Sequence, residues 1–195
     1  MVTKILLVSA FAMATTAAIA AQAAQIRKAP ELTYNIPGKG QENLSQYRGK
    51  VIALEFILTT CPHCQAASHV MTELQQQYGP RGFQALDLAI NGLDNGRTPE
   101  QADQLVQAFV ATYHVGFPVG WVSRDTFLSF LGISIAEYTV VPQLVLIDRK
   151  GYIHYQTPPR GDETSLKEDT IRQRIEELLA MPATASVRGK LTANR

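Results

Sequence analysis

Val51-Ile-Ala-Leu-Glu-Phe-Ile-Leu58, then Thr59-Thr60, then Cys61-Pro-His-Cys64, then Gln65-Ala-Ala-Ser-His-Val-Met-Thr-Glu-Leu-Gln-Gln-Gln-Tyr78 is the stretch that decides the fold. The first run is apolar except for Glu55 and reads as a buried strand. The last run is rich in helix formers and reads as a helix. Between them stand the only two cysteines of the chain, so neither has another thiol to pair with. Strand, Cys-x-x-Cys and helix in that order form the context of a redox dithiol. A helix N-terminus carries free N–H groups and partial positive charge. A thiol placed there ionises more easily, and the thiolate is the reactive form.

Two blander uses of the pair carry less weight. Structural zinc takes four ligands, usually from two Cys pairs or a Cys and a His pair. The remaining candidates here are His63, His69, His114 and His154, with no second Cys pair and no His-x-x-x-His. A purely structural disulfide over so short a loop restrains the unfolded chain little.

Working outward, the chain has 195 residues, 46% of them hydrophobic, and a net charge of +1. That is enough for one globular domain with its own core. The near-neutral charge gives no reason to expect nucleic acid or an anionic membrane surface as a partner. Lys4, the apolar run Ile5–Ala14 and the small-x-small sites Ala18-Ile-Ala20 and Ala21-Gln-Ala23 have the layout of a secretory signal peptide. The expected organisation is a signal peptide over 1–23, a folded domain over 24–181 and a disordered tail over 182–195. An uncleaved segment would instead anchor the protein to a membrane. Export, to the bacterial periplasm first or else outside the cell, would put the Cys pair where disulfides persist.

The rest of the chain alternates strand and helix signals. Ala29–Tyr34 is expected as an edge strand, and Leu44–Gly49 as a short helical turn. Phe83–Ile90 is a second buried strand. Thr98-Pro-Glu-Gln101 is a capping box opening a helix to about Tyr113. Val119–Val122 is a short strand, and Ser123–Leu131 a short helix ended by Gly132. Val140–Asp148 and Tyr152–Tyr155 form a hairpin about Arg149-Lys-Gly151. Ser165-Leu-Lys-Glu168 reads as a capping box for a last helix with Ile171, Ile175 and Leu178 on one face. The expected fold class is α/β, a mixed sheet covered on both faces.

With these residues the chain resembles the thioredoxin superfamily, most closely the exported TlpA-like thiol–disulfide oxidoreductases. The likeness covers roughly Ala29 to Leu179. It rests on the Cys pair, Tyr47-Arg-Gly-Lys-Val51 before the first central strand, an extra strand and helix before the Pro142 strand, and the Leu146-Ile-Asp-Arg-Lys-Gly151 hairpin. The resemblance implies a thioredoxin fold with extra N-terminal strands. It implies thiol–disulfide exchange, with Cys61 as nucleophile and Cys64 as resolving thiol. Pro142 matches the cis-proline that faces the pair, and with Val141 it would bind substrate backbone. Pro62 and His63, between the cysteines, would tune the redox potential. The implied partners are protein dithiols or disulfides and an upstream redox protein. No cofactor and no metal are implied.

Glu55 lies near the position where thioredoxins hold a buried carboxylate. Its physical case is independent. A lone acid in an apolar strand is unfavourable to bury, so its pKa should rise, which suits it to accept the Cys64 proton. The alternative is that strand alternation turns Glu55 out to solvent. The departures from the family concern the direction of electron flow. Thr60 stands where Trp is common, and Pro62-His63 and Val141 are those of DsbA-type oxidases. A peroxiredoxin pattern, Pro-x-x-x-Thr-x-x-Cys, fails because Leu54 and Leu58 occupy its Pro and Thr positions. Two rival functions remain. One is a copper or other soft-metal carrier using Cys61, Cys64 and His63 or His69. The other is a redox-inert binding module on the same fold.

Overall fold

The computed structural model describes residues 26–162 and 164–182. The expected signal segment and all of the expected tail except Pro182 lie outside the described residues. The elements run β1 (Arg27–Lys28), β2 (Thr33–Ile36), β3 (Gly40–Asn43), β4 (Val51–Ile57), α1 (Pro62–Tyr78), β5 (Phe83–Ala89), α2 (Pro99–Tyr113), β6 (Val119–Trp121), α3 (Arg124–Leu131), β7 (Gln143–Ile147), β8 (Tyr152–Gln156) and α4 (Glu168–Ala180). A short 3-10 turn, Leu44–Tyr47, precedes β4.

The strands form one mixed sheet in the order β1-β8-β7-β4-β5-β6-β2-β3. β4 pairs parallel to β5 and β5 parallel to β6, while β7 runs antiparallel to β4. Every residue of β4 and β5 is buried, as expected of strands covered on both faces. The period of two splits them between two cores. Val51, Ala53 and Ile57 join Phe83, Ala85 and Ala89 under α1, α2 and α4. Ile52, Leu54 and Phe56 join Leu86 and Leu88 on the other face, against Phe127, Phe130 and Leu131 of α3. Glu55 and Asp87 fall on the α1 side by the same alternation. Since both faces are covered, neither has a solvent face to turn to.

Local signals place the helices. Thr98 and Gln101 cap α2 reciprocally, and Ser123 caps α3 through the Thr126 N–H. Gly132 ends α3 in the left-handed region at φ 69°. Three expectations change. The Ala29–Tyr34 strand is shorter, begins at Thr33 and is not the edge, because the polar Gly40–Asn43 strand lies outside it. Edge strands tolerate such polar sequence. Ser165 does not cap α4. Its hydroxyl donates to the Asp162 carbonyl at 2.8 Å, and the helix starts at Glu168 after Lys167. Among the described residues no helix is long and apolar enough to cross a membrane.

Candidate active site

Cys61 sits where β4 ends and α1 begins. It is the N-cap residue, with extended backbone (φ −86°, ψ 120°), and Pro62 fills the first helical position. Proline is favoured there because that N–H would have no helical partner anyway. Cys61 is half-buried, His63 is exposed, and Cys64 is fully buried against the core under α1. The approach to Cys61 is held from two sides. Asn91, just after β5, receives the Thr59 N–H at 3.3 Å and donates to the Thr59 hydroxyl at 3.0 Å. Gln65 of α1 donates to the Thr59 carbonyl at 3.1 Å.

Burial pushes the Cys64 thiol far up. A hydrogen bond at the Leu58 backbone opposes this, while the Cys61 sulfur and the charge of Glu55 add to it. Glu55 is fully buried, so the solvent-facing alternative is excluded, and a charge on it would raise the Cys64 thiol. Burial raises the Glu55 carboxyl well above the usual range, and the neighbouring charge of Asp87 raises it further.

Asp87 is the residue that sequence reasoning missed. It is fully buried and lies directly opposite Glu55 in the parallel β4–β5 ladder. Burial pushes its carboxyl up to about 7, against a lowering hydrogen bond from Ser68. The Ser68 hydroxyl is 2.5 Å from Asp87 Oδ2 and 3.1 Å from the Cys64 carbonyl oxygen. The available signal was a lone acid in an apolar strand, Phe83–Ile90, the same signal that singled out Glu55.

Pro142 is buried, and the Val141–Pro142 peptide is cis. Gln143 pairs with Phe56 in the β4–β7 ladder. That register sets Pro142 at the end of β4 from which Cys61 leaves. The buried Gln143 side chain fixes this segment. Its Nε2 donates toward the carbonyls of Val140 (2.9 Å), Pro158 (3.2 Å) and Pro159 (3.3 Å). Val141 is half-exposed beside it.

The histidines do not gather. His69 is exposed and faces Glu73 at 3.5 Å. His154 meets Asp148 at 2.9 Å on the far hairpin. Among the described residues no group of three His, Cys, Asp or Glu could hold a metal ion. Trp121 is a core residue, its indole donating to Asp103 at 2.7 Å. Two cavities, about 180 Å³ beside Tyr47 and about 470 Å³ beside Tyr155, are lined by none of Cys61, Cys64, Val141 or Pro142.

Known proteins are similar to this chain in sequence or in architecture. A thioredoxin-like protein of Bacillus subtilis (strain 168) is 27% identical over 129 residues, covering 65% of this chain and 67% of its own. A thiol:disulfide interchange protein of the thioredoxin family from Chlorobium tepidum superposes with a TM-score of 0.61 at 20% identity, covering 80% of this chain and 98% of its own. The thioredoxin domain of a thiol-disulfide oxidoreductase from Bacteroides vulgatus gives a TM-score of 0.58 at 14% identity, covering 77% of this chain and 95% of its own. The fold is thus the thioredoxin fold. The AhpC/TSA family matches residues 26–156, from β1 to the end of β8 and well over half of the sequence, and the chain belongs to that family.

Proposed function

We propose that this protein is a thiol–disulfide oxidoreductase that exchanges disulfides with partner proteins through Cys61 and Cys64. The observation that carries this is the asymmetry of the pair: a half-buried cysteine at the helix start and a fully buried one a turn later, beside a buried acid. In the reducing direction the Cys61 thiolate attacks a partner disulfide. A Cys61–partner disulfide forms, and the partner's other sulfur leaves as a thiolate. Cys64 then attacks the Cys61 sulfur, giving the Cys61–Cys64 disulfide and the reduced partner. Its thiol proton must first be removed, and Glu55 is the acid beside it. The same steps reversed oxidise a partner. Val141 and Pro142 form the rim for the substrate backbone, and Pro62 and His63 set the potential. The surface at Cys61, away from the cavities, suits a protein segment better than an enclosed small molecule.

The N-terminal sequence supports export, with the periplasm as the working compartment, an upstream redox protein restoring the pair, and membrane anchoring if the segment stays uncleaved. Insulin reduction with a thiol reductant tests the activity. Wild type should accelerate it and Cys61→Ser should not. An inactive wild type would leave the redox-inert module as the better reading. Stoichiometric copper retained through purification would favour the carrier.

A further inference from the structure

Glu55 and Asp87 put two carboxyl groups side by side beneath the Cys pair. Both are fully buried and directly opposed across β4 and β5. Among the described residues, Glu55 Oε1, Glu55 Oε2 and Asp87 Oδ1 have no hydrogen-bond donor. Buried polar atoms are nearly always paired, and three orphaned oxygens in one place call for an explanation. Two like charges this close in an apolar interior cannot both persist. One proton held between the two carboxyls removes one charge and supplies the missing donor.

The surroundings decide where that proton rests. From α1, Ser68 donates to Asp87, and Cys64 lies close enough that a charge on Glu55 would raise its thiol. From β7 the register partner of Glu55 is Leu144, and from β6 the partner of Asp87 is Val119. The nearby buried residues of α2 are Ala102, Val106 and Phe109, all apolar. Among the described residues no lysine, arginine or histidine acts on either acid. Ser68 favours charge on Asp87, which leaves the proton on Glu55. A protonated Glu55 cannot by itself accept the thiol proton of Cys64.

We propose that Asp87 is a positioning residue for resolution by Cys64, drawing the proton of Glu55 to itself so that Glu55 takes the proton of Cys64. The step balances. Cys64 loses one proton to Glu55, Glu55 loses one to Asp87, and the single negative charge moves from Asp87 to the Cys64 sulfur. That thiolate attacks the Cys61–partner disulfide. The Cys61–Cys64 bond forms and the partner leaves as a thiolate. In this step the Cys64 sulfur is oxidised, the partner sulfur is reduced and the Cys61 sulfur stays at the disulfide level, and the departing thiolate regains a proton from the doubly protonated pair or from solvent. The inference rests on the exchange reading and adds the acid behind Glu55.

The experiment mixes the full reduced chain with an equal concentration of the aromatic disulfide dithiobis(nitrobenzoate). The first thionitrobenzoate released reports attack by Cys61, and the second reports resolution by Cys64. In Asp87→Asn the rate of the second release relative to the first should fall by about 100-fold near neutral pH, the scale of lost acid–base assistance. It should then climb with pH as hydroxide takes over, where wild type levels off. Ser68→Ala removes the donor that keeps charge on Asp87 and should move the wild-type profile to higher pH. An unchanged ratio and an unchanged profile in Asp87→Asn overturn the proposal. If that variant does not fold, an unmoved profile in Ser68→Ala overturns it instead. A wild type that gives no first release rejects the exchange reading itself, a separate outcome.

Discussion

Glu55 and Asp87 are register partners in the centre of the sheet, both fully buried, with no positive side chain among the described residues acting on either. An unfolded chain offers both groups water and ordinary carboxyl titration near pH 4. The fold takes that water away and places the two acids against each other.

This arrangement makes stability depend on pH in an unusual direction. Both folded-state values are raised, that of Asp87 to about 7. From about pH 4 up to those values the native state holds more protons than the unfolded state. The contribution is fully present below about pH 4 and is lost as pH rises, at up to about 1.4 kcal/mol per pH unit for each group. Asp148 works in a different window. Despite its burial, hydrogen bonds from Tyr152, His154 and Lys150 hold its carboxyl below the usual range, so its contribution fades only in acid. Urea unfolding should therefore give higher stability at pH 5 than at pH 8, and Glu55→Gln should flatten the difference. Stability that rises between those values would contradict the coupled pair.

The two cysteines should separate sharply on alkylation. Cys61 is half-buried at the helix start, whereas Cys64 is buried and its thiol is pushed up by that burial. Iodoacetamide at neutral pH, followed by peptide mass spectrometry of the reduced protein, should label Cys61 first and Cys64 only on unfolding. Equal labelling, or preference for Cys64, would reverse the role assignment.

Sequence legibility followed the reach of each signal. The β4–Cys pair–α1 unit, the α2 capping box and the Gly132 stop depend on neighbours a few residues away, and each formed where its residues pointed. The outer strand Gly40–Asn43 carried no apolar period, because a solvent-facing edge does not need one. The Ser165 box failed because the helix begins only at Glu168, with Lys167 at the cap position, and the Ser165 hydroxyl donates instead to the Asp162 carbonyl. Glu55 could be singled out, but whether it was buried depended on α1 and α4 closing over that face. Asp87 was harder still. Its significance lies in the register between β4 and β5, which places it opposite Glu55 and is not written in either strand alone.

Gln143 should matter to the rim more than its neutral side chain suggests. Its Nε2 ties Val140 to the Pro158–Pro159 loop, and its Oε1 is buried without a partner among the described residues. Gln143→Leu removes the donor and leaves those carbonyls to find other partners, at a cost of about 1–3 kcal/mol. Denaturant unfolding should register the loss, and hydrogen exchange should show faster exchange at the Val140 N–H, which now donates to Pro159 at 2.9 Å. Full protection at Val140 in the variant would mean that the loop holds the rim without Gln143.

On the proposed exchange reading, His63 would bear on the direction of electron flow. It stands between the two cysteines on the exposed first turn of α1. An imidazole N–H that reaches the Cys61 sulfur would stabilise negative charge there, and so favour the reduced form of the pair. A stabilised dithiol makes the corresponding disulfide a stronger oxidant. The buried partner works the other way, since Cys64 resists giving up its proton. The exposed turn carries the adjustable part of the balance, because His63 can be removed without opening the core. Equilibration with glutathione buffers should place wild type above thioredoxin's potential of about −270 mV. His63→Ala should then shift it downward, by about 30 mV for each ~1.4 kcal/mol of stabilisation lost. A wild-type potential at or below thioredoxin's, or no fall on replacing His63, would refute this account and leave the pair tuned as a reductant.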